Sequence, residues 1–336
     1  MLGLCLAASI PEASAAATAT GLSSEVVFTE YSPLAASSEL VRRLLSPLAA
    51  AQVQGMLNRS SERLIEQSID LGAERFVVYV PPQVPPRGYA LLVFVPPWAE
   101  GRLPAGWNAV LDRYGMIYVS AARSGNAENV LGRREPLALL AAYNVMQHYP
   151  VDPERVYVGG FSGGSRIAMR LALGYPDVFR GALLNAGSDP LGGGVPPLPP
   201  AELFQRFQDS TRLVYVTGEH DTARRATDAD SLQSMRRWCV FDVDSVITPA
   251  AVHEVATPAA LANALHALTT PSRPDAAKLA SCRSDVAKDL AVELQQARTL
   301  IEGGKRAEAQ KLLLDIDRRF GGLAAPQSLE LQKALN

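Results

Sequence analysis

An apolar run that stops at two glycines, resumes after one serine and two more glycines, and continues as a helix leaves few folds open. Residues 155–169 read RVYVGGFSGGSRIAM. The first six have the composition of a short buried strand, and residues 165–173 that of a helix. Hardly any loop separates them. So abrupt a reversal forces the residue at the turn, Ser162, into a strained backbone conformation and draws strand and helix backbones together. The flanking positions must then be small, and Gly160 and Gly164 supply that room.

The surrounding chain sets this turn in an alternating pattern. Apolar, β-rich runs fall at residues 75–80 (RFVVYV), 89–95 (YALLVFV), 116–120 (MIYVS), 182–185 and 213–217 (LVYVT), with a short last strand at 245–247. Helical spacing marks residues 136–148, 165–173 and 258–268. Buried strands alternating with helices predict an α/β fold: a mostly parallel central sheet with helices on both faces. The first two strands, joined by PPQVPPRG, are expected to pair antiparallel. In such sheets chemistry gathers at the carboxyl ends of the strands. The Gly/Pro-rich segment 187–200 is expected to loop over those ends, either bordering a site or as an inert connection.

A chain of 336 residues suits one large domain with an appendage. Residues 21–66 read as an N-terminal helical extension, because Leu40, Leu44, Leu45, Leu48 and Val53 recur at helical spacing, and residues 67–270 as the main domain. Residues 275–336 read as a C-terminal helical hairpin, 286–301 and 305–320, broken at Gly303-Gly304. The hairpin weakly resembles one tetratricopeptide unit, and a single unit cannot bury its own face. It is therefore expected to pack on the main domain, with docking of a protein partner as the alternative.

With 48% hydrophobic and 20% charged residues the composition is that of an ordinary globular protein, and a formal net charge of −2 argues against nucleic-acid binding. No run approaches the roughly 20 apolar residues that cross a bilayer. Residues 1–20 combine an apolar stretch with Ala13-Ser14-Ala15, the pattern of a secretory leader and its cleavage site, although no Lys or Arg precedes Arg42. They predict a periplasmic or secreted protein from a leader truncated at its start. If they are instead a low-complexity Ala/Ser segment, the protein is cytoplasmic. Cys239 and Cys282 would form a disulfide in an oxidising compartment and remain thiols otherwise.

Gly160-Phe161-Ser162-Gly163-Gly164 fits G-x-S-x-G, the strand-to-helix turn that presents a nucleophilic serine. A hydroxyl is a poor nucleophile at neutral pH and needs a base oriented by an acid. Four histidines are available. His148 and His266 fall in helices, and His220 precedes its neighbouring acid on a loop. His253 follows the last strand. In chains carrying this turn the order is serine, acid, histidine, with the acid past a late strand. Ser162, Asp221 and His253 satisfy order and position, with Glu219, Asp228 and Asp230 as rival acids. Two backbone N–H groups are needed for the oxyanion: Gly163, after the nucleophile, and Trp98, the first donor past Pro96-Pro97. Arg123, Asn126 and Arg166 are candidates for recognising a polar or acidic ester, with surface ion pairing as the alternative for the arginines. No Cys/His spacing suggests a metal, and this chemistry requires no cofactor.

Residues 151–179, VDPERVYVGGFSGGSRIAMRLALGYPDVF, taken with GEHD at 218–221 and VHEV at 252–255, resemble the α/β-hydrolase superfamily. More narrowly they are similar to the secreted polyhydroxybutyrate-depolymerase and feruloyl-esterase group, in which D-P-x-R-V-Y-V precedes the serine turn and Y-P-D-V-F follows its helix. The resemblance spans residues 75–268. It implies an α/β-hydrolase fold and a serine esterase acting on a small or polymeric ester through Ser162, Asp221 and His253. VPPWAEG departs from it where relatives carry a His-Gly pair. Other readings of the same fold are a peptidase, an acyltransferase, or an idle hydrolase fold that binds through its tail.

Overall fold

The computed structural model describes residues 20–60, 62–270 and 272–335, so most of the expected leader, residues 1–19, lies outside the described residues. Its frame is an eight-stranded sheet of β1 (Gly21–Val26), β2 (Phe76–Val80), β3 (Tyr89–Val95), β4 (Met116–Ala121), β5 (Val151–Phe161), β6 (Gly181–Asn185), β7 (Arg212–Gly218) and β8 (Val243–Thr248). The strands lie in the order β1-β2-β4-β3-β5-β6-β7-β8. From β4 to β8 every pairing is parallel, while β2 runs antiparallel to both of its neighbours, β1 and β4.

β3 shows why the sheet is central. All seven of its residues are buried, and period two divides them: Leu91, Val93 and Val95 join the core on one face, Ala90, Leu92 and Phe94 that on the other. Each such side chain contributes roughly 1.5–3 kcal/mol by leaving water. Helices α1 (Ser37–Leu44), α2 (Pro47–Ser60), α3 (Trp107–Tyr114), α4 (Glu135–His148), α5 (Gly163–Gly174), α6 (Ala201–Ser210), α7 (Thr222–Arg237) and α8 (Pro258–Thr269) accompany the sheet. Core residues of α3 and α8 pack on one face, those of α4, α5 and α6 on the other.

Two expectations are corrected. β2 and β3 do not pair: β2 lies between β1 and β4, while both edges of β3 are taken by parallel partners, β4 and β5. The proline-rich connection is thus a crossover past β4 rather than a hairpin. Residues 21–66 are not helical throughout, since β1 extends the sheet, and the expected helix is two, α1 and α2. β1 escapes a periodicity reading because GLSSEV is polar and largely exposed at the sheet edge.

The tail comprises α9 (Ala276–Glu302), α10 (Arg306–Phe320) and a further helix, α11 (Gln327–Leu335). It packs on the main body: Leu290, Leu294, Leu313, Ile316 and Phe320 join the core of the α4–α6 face. A Cys239–Cys282 disulfide ties α9 to the end of α7, and Asp317 accepts from the Leu48 backbone N–H of α2 at 3.0 Å. The turn after α10 braces the Gly/Pro-rich segment. There the Gly322 N–H donates to the Leu198 carbonyl at 2.7 Å, and a Cβ on Gly194 would stand 2.8 Å from the Arg318 side chain. Among the described residues no helix is long and apolar enough to cross a membrane.

Candidate active site

β5 ends at Phe161 and α5 begins at Gly163, leaving Ser162 alone at the turn with φ 54° and ψ −119°. A non-glycine residue there costs of order 1–3 kcal/mol and persists only if its surroundings impose it. The glycines do so. A Cβ on Gly160 would lie 2.3 Å from the Gly164 carbonyl, one on Gly164 would lie 1.9 Å from the Val95 carbonyl, and one on Gly187 would lie 2.2 Å from the Ser162 carbonyl. The Ser162 N–H donates to the Asn185 carbonyl at 2.8 Å, pinning the turn to the tip of β6.

Three of the expected side chains meet in line. Ser162 Oγ lies 3.0 Å from His253 Nε2, and His253 Nδ1 lies 2.6 Å from Asp221 Oδ2. Asp221 is 8% exposed and caps α7, its other oxygen accepting from the Arg224 N–H at 3.3 Å. The rival acids are occupied or distant: Glu219 accepts from the Ala250 N–H, Asp228 accepts from Ser188 and Thr217, and Asp230 is exposed. Burial pushes the Asp228 carboxyl up, opposed by those two hydroxyls. His220 contributes its backbone N–H to the Ala251 carbonyl, and His148 sits 3.8 Å from Glu30. His266 is exposed on α8.

The loop bearing His253 is gripped from beneath. Three residues on, Ala256 donates its N–H to Asn185 Oδ1 at 2.7 Å and accepts from the Trp107 indole at 2.9 Å, both side chains being buried. Asn185 also donates to the Val216 carbonyl. Sequence reading missed both residues, because LLN and WNAV look like an ordinary strand end and helix start. The β6 position immediately before the tip, where a polar residue follows two leucines, was the available signal.

The segment Pro96–Ala99 leaves the end of β3 beside the serine turn, where a Cβ on Gly164 would meet the Val95 and Pro96 backbone. Among the described residues, neither the Trp98 nor the Gly163 backbone N–H is engaged. The Asn126 N–H donates to the Pro97 carbonyl at 3.0 Å and the Arg123 N–H to the Ala99 carbonyl at 2.5 Å. Arg134, 4% exposed, donates to the Pro96 carbonyl and the Ser124 carbonyl, both at 2.9 Å. Burial pulls its guanidinium down from the ordinary range, with Glu135 and Glu128 opposing. The Trp98 ring packs toward Phe161, whose ring centroid lies 5.0 Å from that of His253, and the Arg102 guanidinium lies over the Trp98 ring.

The three flanking candidates separate. Arg123 turns away to Glu74, 3.1 Å off, and the Ala73 carbonyl, so it acts in the frame and not at the serine. Asn126 packs on Gly163, where a Cβ would stand 2.2 Å from its Oδ1. Arg166 faces a cleft of about 730 Å³ that begins at Gly163 and is bordered by the α1–α2 turn, residues 129–134 and the Gly/Pro-rich segment. Among the described residues no cluster of three or more His, Cys, Asp or Glu side chains is disposed to hold a metal. Chemically, the line can move a proton from Ser162 to His253 and stabilise the resulting imidazolium.

No protein-family model matches the chain. It is similar to a poly(3-hydroxybutyrate) depolymerase of Ralstonia pickettii, 31% identical over 98 residues, covering 25% of this chain and 20% of that protein. A poly(3-hydroxyalkanoate) depolymerase C of Paucimonas lemoignei is 32% identical over 97 residues, 25% of this chain and 23% of that one. The match thus spans less than a quarter of either relative's length. Among solved structures, a poly(3-hydroxybutyrate) depolymerase from Bordetella parapertussis superposes with a TM-score of 0.42 at 17% identity, over 62% of this chain and 88% of its own. The strand order and the serine turn after β5 are those of the α/β-hydrolase fold, as the resemblance implied.

Proposed function

We propose that this α/β hydrolase is a serine esterase working through an acyl-enzyme. The observation that carries the reading is the hydrogen-bonded line from Ser162 through His253 to Asp221, 3.0 Å and 2.6 Å, at the strand tips. His253 takes the Ser162 proton as Oγ attacks the ester carbonyl, and Asp221 holds the imidazole by its Nδ1–H. The backbone N–H groups of Gly163 and Trp98 receive the oxyanion. His253 then returns the proton to the departing alkoxide, and water, activated by the same imidazole, releases the acid. Ester polymers belong among the substrates to test, because both partially matched relatives are named as polyester depolymerases. An oxidising compartment, periplasmic or extracellular, is supported by the Cys239–Cys282 disulfide and by the leader pattern of residues 1–20.

The test pairs turnover of a p-nitrophenyl ester panel with labelling by a fluorophosphonate, on the full chain and on Ser162→Ala. Hydrolysis and labelling by the parent, both lost in the variant, are expected. An unlabelled, inactive parent overturns the esterase reading; a labelled Ser162→Ala overturns Ser162 as nucleophile.

A further inference from the structure

The cleft beside Gly163 holds more positive charge than its carboxylates balance. Three arginines line it, Arg134, Arg166 and Arg170, and two of them are committed. Arg134 spends its donors on the Ser124 and Pro96 carbonyls. Arg170 donates to the buried Glu135 at 2.5 Å. Arg166 differs. Its side chain is 42% exposed, and its nearest approach to a carboxylate is Nε to Asp189 Oδ1 at 3.3 Å. Among the described residues neither of its Nη groups donates a hydrogen bond. A guanidinium offers a planar fork of donors that matches a carboxylate two bonds at a time, and Arg166 brings one to the lining of the cleft. Burial pushes the Asp189 carboxyl up, with Arg166, Arg170 and Arg224 opposing.

Around that cation the lining is largely apolar, with Leu45, Ala49, Val130, Leu131, Ile167 and Val195 interrupted by Ser46 and Asn129. An occupant therefore needs an aliphatic stem and an anionic end. Which arm of an ester enters follows from the proton path, since the departing oxygen must reach His253 Nε2. Gly163, next in the chain to Ser162, lines the cleft, while neither Ser162 nor His253 does. With His253 outside it, the arm assigned to the cleft is the one that stays on Ser162, the acyl arm. Arg166 stands three residues beyond Gly163 on α5, on the same helix face one turn away.

We propose that Arg166 is a specificity-determining residue and that the cleft selects esters whose acyl arm is an aliphatic chain ending in a carboxylate, the half-esters of dicarboxylic acids. The inference rests on the esterase reading. Hydrolysis releases the alcohol and leaves the dicarboxylate, whose second charge the same guanidinium holds.

The experiment measures kcat/KM on matched p-nitrophenyl esters: the butanoate and hexanoate against the half-esters of succinic, glutaric, adipic and suberic acid. At low salt the parent is expected to favour at least one half-ester over the neutral ester of similar length by about tenfold, a preference that shrinks as ionic strength rises. Arg166→Gln should reduce that ratio to about one or below. Asp189→Asn, which frees the guanidinium, should raise it. A parent that hydrolyses the neutral esters but prefers no half-ester, or a preference that survives Arg166→Gln, overturns the inference while leaving the esterase reading intact. A parent that hydrolyses none of them overturns both.

Discussion

Two loops meet at the serine turn, and they are held by unlike grips. The His253 loop is fixed by neutral side chains, Asn185 and Trp107, each matching one polar group of Ala256. The Pro96–Ala99 segment is held by the backbone N–H groups of Asn126 and Arg123 and by a cation: buried Arg134 donates to the Pro96 carbonyl and links it to the Ser124 carbonyl, with no carboxylate of its own. A neutral grip has little desolvation to offset. A buried guanidinium loses several kcal/mol of hydration, recovered only in part through its bonds. The costlier holder thus stands on the side where, on the proposed reading, backbone donors meet an oxyanion and no side chain of the segment directs them.

The sharpest way to break this contrast is to remove the chemistry and leave both grips in place. Ser162→Ala should lower kcat by about 10⁶-fold and Asp221→Asn by about 10⁴-fold, with melting temperature little changed. Stopped or steady-state assays of p-nitrophenyl ester hydrolysis check this, and residual turnover near the parent rate would refute the assigned roles. Loosening the cationic grip comes next. Arg134→Met should cut kcat by about 10²–10³-fold with KM nearly unchanged, the signature of a misplaced oxyanion donor. Arg134→Lys should restore part of the loss. Its stability cost should stay at about 1–3 kcal/mol by denaturant titration, because removing the buried charge also removes its desolvation.

The neutral grip should respond the other way. Asn185→Leu strands the Ala256 N–H and the Val216 carbonyl, so a loss of about 2–4 kcal/mol in stability is expected, with kcat falling less than in Arg134→Met. The reverse ordering of kcat would show that the His253 loop, not the Trp98 segment, is the fragile side. Smallest in its effect on rate is the pair Cys239→Ser with Cys282→Ser. Opening that link should cost about 2–4 kcal/mol, read by thermal melting, and leave kcat on p-nitrophenyl butanoate within about twofold.

How far these features could be read in the sequence follows from what each one demands. Gly160, Gly164 and Ser162 stand out because steric room allows no other residue type, and His253 because the order of the three side chains left one histidine well situated. Arg134 was invisible: GRREP looks like the charged start of a surface helix, and burial on carbonyls 10 and 38 residues away in sequence leaves no local mark. Arg123 misled for the complementary reason, since a loop arginine near the site can as easily turn to Glu74. The pairing of β2 also lay out of reach. A strand's neighbours are settled by crossovers, and the loop between β2 and β3 gives no sign that β4 will come between them.

The turn at Gly321–Gly322, pressed against Leu198 and Pro199, gives the tail a say in what the serine encounters. The jaw of the cleft at Gly194–Pro197 is set from a point some 120 positions downstream in the chain. On the proposed reading, acceptance of a substrate and the ability to cleave it are therefore inherited through different stretches of sequence. Altering the last helices would then change which esters are admitted while the proton relay goes untouched.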